Sequence, residues 1–112
     1  MAMWKQYIVL FGGFIDAGAR TTYLNDLWVF STEEYKWTEI KQNDLRRPGP
    51  RSAFSFLPTA DGIVLHGGYC KRYIKGQRTQ GVALEDTWFL KMDEKDLTKL
   101  DWTKRRKVGY VP

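Results

Sequence analysis

The sequence predicts an all-β chain of short antiparallel strands, and two observations carry that prediction. The same order of elements recurs twice along the 112 residues, and no long stretch repeats its apolar residues at helical spacing. Apolar residues make up 43% of the chain and aromatics 15%. That is enough for a packed core and too much for a disordered tail. The length allows one domain at most.

The elements follow in order. Tyr7–Phe14 reads YIVLFGGF and Gly62–Tyr69 reads GIVLHGGY. Each is a β-branched and aromatic run ending in a Gly pair, Gly12-Gly13 or Gly67-Gly68, and the pair is expected to end its strand. A polar loop follows each, at 14–24 and 69–84. Then come NDLWVF at Asn25–Phe30 and EDTWFL at Glu85–Leu90, where Asp26 matches Asp86 and Trp28 matches Trp88. The two aspartates are expected to open their strands and bond turn amides. YKWTEI at Tyr35–Ile40 and LDWTKR at Leu100–Arg105 close each copy, with Trp37 read as a core ring. RSAFSFLP at Arg51–Pro58 precedes the second copy as an innermost strand, after Pro48-Gly49-Pro50. The predicted strands therefore lie at about 5–11, 25–31, 36–41, 52–57, 62–67, 85–91 and 100–104. The first unit, 1–51, has three outer strands and a linker. The second, 52–112, has four strands and the start of another linker.

Four-stranded units of about 50 residues, with a Gly pair on the second strand and a Trp on the fourth, resemble kelch repeats. Phe30 precedes Trp37 at the spacing of that pattern, whereas Leu90 and Trp102 are separated by an insertion in the turn 93–99. The resemblance covers nearly the whole chain. It implies antiparallel kelch propeller blades in an incomplete propeller, since propellers use about 4–8 blades. Repeats bury their faces against neighbours, so other blades of the same propeller or self-association are expected to be needed for stability. The resemblance also implies a protein-interaction scaffold rather than an enzyme.

A catalytic set is hard to assemble from these residues. One His excludes a two-His metal site, and neither metal nor cofactor is expected. His66 and Cys70 flank Gly67-Gly68-Tyr69, but His66 stands where the other copy has Phe11, which favours a packed strand residue. FGGF lacks the Lys-Ser/Thr and helix of a phosphate loop. No apolar run reaches the roughly 18–20 residues that span a bilayer, and Met1-Ala2-Met3-Trp4-Lys5 lacks a signal-peptide core. With its single cysteine, Cys70, the chain is expected in the cytoplasm or nucleus.

Charge supplies the functional expectation. The formal charge is +5. In an up-and-down blade, alternate connections fall on opposite faces. Sorting the loops this way makes one face basic and the other acidic. Arg46, Arg47, Arg51, Lys71, Arg72, Tyr73, Lys75 and Arg78 are the candidate partner-binding residues on the basic face. Lys104, Arg105, Arg106 and Lys107 add to it, with Tyr69 and Tyr110 nearby. Such a face suits an acidic protein segment. Two alternatives are RNA, bound through the same face as in a ribonucleoprotein, and a substrate-receptor role in a ubiquitin ligase.

Overall fold

The computed structural model describes residues 1–16, 18, 21–73 and 79–105. These residues form two four-stranded antiparallel sheets, one after the other in the chain and in simple meander order. The first sheet comprises β1 (Ala2–Trp4), β2 (Tyr7–Asp16), β3 (Thr21–Ser31) and β4 (Lys36–Ile40). The second comprises β5 (Ser55–Pro58), β6 (Gly62–Tyr73), β7 (Thr79–Lys91) and β8 (Asp101–Arg105). No helix occurs among the described residues. The all-β architecture of blade-like sheets that do not close on themselves is as the sequence predicts.

The first sheet has four strands, not three. Ala2–Trp4 pairs antiparallel with β2, with Trp4 opposite Tyr7. Ala2 and Trp4 are buried and Met3 between them is exposed, so the segment alternates as a half-buried strand should. Three residues are too few for that period to stand out in a sequence.

The glycine pairs do not end their strands. β2 and β6 continue past them to Asp16 and Tyr73, so much of the segments read as loops is extended hairpin. The pairs instead mark a bulge. Between Phe11 and Gly13, β2 advances two residues while β3 advances three, from Leu27 to Leu24; His66 to Gly68 against Thr87 to Leu84 repeats the irregularity. All four glycines have positive φ, from 68° at Gly12 to 117° at Gly68. That backbone is costly for any residue with a Cβ.

The sheets pack face to face around one core. The first contributes Trp4, Val9, Phe11, Leu27, Val29 and Ile40, and the second Phe56, Ile63, Leu65, Leu90 and Trp102. Phe11 meets Trp102 edge-on, ring centroids 5.1 Å apart. The polar ends of the buried rings are satisfied, as buried indoles require. Trp102 Nε1 donates to Gln42 Oε1 at 2.7 Å, and Trp4 Nε1 donates to the Thr59 carbonyl at 3.0 Å.

Trp37 differs from its counterpart in the second sheet. It pairs with Phe30 as Trp102 pairs with Leu90, so the two indoles hold equivalent register positions. Trp102 is 1% exposed and Trp37 is 44% exposed. The difference lies in the neighbour. The first sheet covers the Trp102 face, while Trp37 lies on the outer face of the first sheet, where its ring contact is with Phe30.

Candidate interaction surface

The β2–β3 and β6–β7 hairpins rise side by side, and the connector between the sheets, residues 41–54, passes between their bases. A groove runs there, lined by Thr22, Tyr23, Pro50, Lys71, Glu85 and Lys104 among others. Its shape is set by how the connector is held. Asn25 Nδ2 donates to the Pro48 carbonyl at 3.1 Å, and Gln42 Nε2 donates to the Asn25 carbonyl at 2.9 Å. The Gly13 N–H donates to the Arg51 carbonyl at 2.8 Å, and the Arg51 N–H donates to the Leu24 carbonyl at 3.2 Å. The bulge therefore frees backbone groups of the first sheet that the connector then satisfies. A Cβ on Gly12 would lie 2.7 Å from the Arg51 carbonyl oxygen, so glycine is also a condition of this close approach.

Arg51 closes the arrangement from the other side. Its guanidinium reaches the second sheet, Nη1 and Nη2 donating to the two Asp86 carboxylate oxygens at 2.7 and 2.9 Å. Nη1 also donates to the Gly67 carbonyl at 2.9 Å, and Nε to the Gly49 carbonyl at 3.2 Å. Trp88 Nε1 donates to Asp86 Oδ2 at 2.8 Å. The Arg51 hydrogen bonds hold the Asp86 carboxyl well below the ordinary carboxylate range, with a smaller contribution from Trp88 and against the opposing effect of burial. Arg51 is 2% exposed. It is therefore a structural clamp and not a free partner-binding cation. Asp86 serves that clamp from within β7 rather than bonding a turn amide, and Asp26 likewise accepts from Trp28 Nε1 at 2.8 Å.

The other candidates divide. Arg47, within the connector, donates to Asp44 at 3.1 Å and to the Asn25 carbonyl of β3 at 3.4 Å. Arg46 makes a long, exposed ion pair with Asp101 at 3.7 Å, which contributes little. Lys71 is exposed on the groove. Arg72 and Tyr73 belong to β6, opposite Gln80 and Thr79. Lys75, Arg78, Arg106, Lys107 and Tyr110 lie outside the described residues.

Lys104 and Tyr69, which the charge sorting puts on the basic face, are joined in the structure by Phe14 and Tyr23. Lys104 lines the groove, its Nζ 5.9 Å from the centroid of the Trp88 ring. Phe14, Tyr23 and Tyr69 form a row of rings across the two hairpins, with centroids 5.8 and 6.4 Å apart. Only their shared position on adjoining hairpins could have signalled the row, and a string of residues hides that. His66 and Cys70 do not form a couple. The His66 ring bonds Thr87 Oγ1 at 2.7 Å, while Cys70 is a buried thiol lining the groove. Among the described residues, no three His, Cys, Asp or Glu side chains converge to hold a metal.

Comparison with known proteins finds similarity both to a family model and to curated relatives. Residues 1–42 match a family model described as the Kelch motif. The chain is also 37% identical, over 103 residues and 87% of its length, to an F-box/kelch-repeat protein of Arabidopsis thaliana. It spans 19% of the length of that relative. No solved structure matches.

Proposed function

We propose, from the kelch-repeat family that both matches support, that this chain is a non-catalytic piece of a propeller whose hairpin face grips an acidic segment of a partner protein. Kelch repeats generally mediate protein–protein interactions and are typically scaffolds rather than enzymes. Within that family the order of motifs resembles the group called kelch domain-containing protein 4. The observation that carries the acidic-partner reading is the meeting of two chemistries at Tyr23, which belongs to the aromatic row and also lines the groove that holds Lys71 and Lys104. The aromatic row Phe14, Tyr23 and Tyr69 offers rigid apolar contact, and the exposed amines of Lys71 and Lys104 offer charge beside it. Tyrosine is enriched among energetically dominant interface positions, and cations beside it steer and orient an acidic segment. Arg51 supplies none of this charge, because Asp86 neutralises it.

The test is affinity capture with the full protein, repeated with Lys71→Glu and Lys104→Glu together. Loss of the captured partner, with the fold retained, is expected. A partner set unchanged by the double reversal refutes the acidic-segment reading. Binding that survives in protein-free extract, and weakens linearly with salt on logarithmic axes, replaces the protein partner with RNA.

A further inference from the structure

We infer that Asp26 is the core of a second guanidinium receptor, built to take an arginine from a polypeptide segment that docks on the outer face of the first sheet. The argument comes from the internal repeat, in which one copy of the receptor is filled. In the second sheet, Asp86 Oδ2 accepts Trp88 Nε1 at 2.8 Å. In the first, Asp26 Oδ2 accepts Trp28 Nε1 at 2.8 Å, with the same two-residue spacing and the same oxygen. The indole fixes the carboxylate and occupies one lone pair, leaving the opposite oxygen for a second donor. In the filled copy that donor is Arg51, which forks onto both oxygens and also bonds the Gly67 carbonyl. Gly12 holds the register position of Gly67 in the matching bulge. Among the described residues Asp26 has no cationic partner.

The surroundings fit the same ligand. Leu27 and Val29 are buried against the second sheet, so Asp26, Trp28 and Phe30 alternate to the outer face. There the Phe30 and Trp37 rings extend the site as an apolar flank, with centroids 5.1 Å apart. A carboxylate already fixed by an indole favours a planar, two-pronged donor over a point charge, which selects arginine over lysine.

The probe is the segment of this chain that fills the other copy: a peptide of residues 49–54, in which Arg51 is the one arginine, titrated into the isotopically labelled full chain. The indole N–H resonance of Trp28 reports the site, while those of Trp88 and Trp102 report a filled receptor and the core. A saturable shift confined to Trp28 is expected. Replacing the peptide's arginine by Arg51→Lys keeps the charge and should weaken binding by about tenfold or more. Asp26→Asn in the protein should do the same, with the Trp88 and Trp102 resonances unmoved as the check on folding. If Asp26→Asn unfolds the chain, the lysine peptide on the unaltered protein decides. No shift at Trp28, or equal affinity for the arginine and lysine peptides, overturns the proposal.

Discussion

Arg51 and Asp86 lie 35 residues apart and form a two-pronged ion pair that one side chain cannot leave without harm to the other. The Arg51 side chain is 3% exposed and that of Asp86 20% exposed. Removing one partner of such a pair leaves an uncompensated charge in a poorly solvated place, which costs about 3 kcal/mol or more. Arg51→Met is expected to lower stability by that amount, read from the urea midpoint at neutral pH. The pair also imposes a pH dependence. The folded state holds the Asp86 carboxyl below its unfolded value. Its contribution is thus complete above the ordinary carboxylate pKa of about 4 and is lost as the pH falls below it. Urea midpoints taken from pH 5 to pH 3 should fall more steeply for the unaltered chain than for Asp86→Asn. Coincident slopes would mean that Asp86 is not held in this way. On paper Arg51 looked like one more solvated cation in a basic loop. Nothing local distinguishes it from Arg46 or Arg47, because its partner is set by the packing of two sheets.

Strands and their partners were far more legible than the clamp. Ile8–Leu10 and Ile63–Leu65 are β-branched runs bounded by turn residues, and Asp26/Trp28 against Asp86/Trp88 align the two copies without any structure. The glycine pairs stand out in the sequence, but they read there as strand ends and not as bulges. Two adjacent glycines in a string mark either a strand end or a bulge, and only the partner strand distinguishes them. The two positions of the pair should respond differently to the same substitution. At Gly13 an added Cβ meets nothing within 4 Å, so Gly13→Ala incurs only the positive-φ strain, about 1–2 kcal/mol. At Gly12 the same strain is joined by a 2.7 Å approach to the Arg51 carbonyl oxygen. Gly12→Ala should therefore be the more damaging by about 1 kcal/mol or more, in the upper part of the usual range for point mutants. Thermal or urea unfolding of the two variants side by side decides it. Equal losses would show that the connector is free to yield.

At the scale of the molecule, two stacked sheets leave one face of each without a neighbour among the described residues. The Cα radius of gyration is 15.2 Å, against about 13 Å for a compact domain of this length. The three principal extents, 48 × 40 × 24 Å, describe a flattened body. Equivalent residues consequently have unequal worth. Trp102, sealed between the sheets and bonded to Gln42, should cost about 3–5 kcal/mol when truncated to alanine. Trp37 occupies the same register position on an open face and should cost about 1 kcal/mol in this chain. A large loss at Trp37 would indicate that its face is covered in solution. The repeat in the sequence could place both indoles on the same side of their sheets. It could not say which side is sealed, since that depends on what stacks against each sheet and not on the sheet itself.

The way Arg51 is anchored has a mechanical consequence. Its main chain is fastened to one sheet through Gly13 and Leu24, and its guanidinium to the other through Asp86 and Gly67. A connector tied at both ends acts as a rivet, so prying the sheets apart has to break both fastenings together. The separation of the two hairpins, and with it the width of the groove, is thereby set by a lining residue that is itself almost wholly buried.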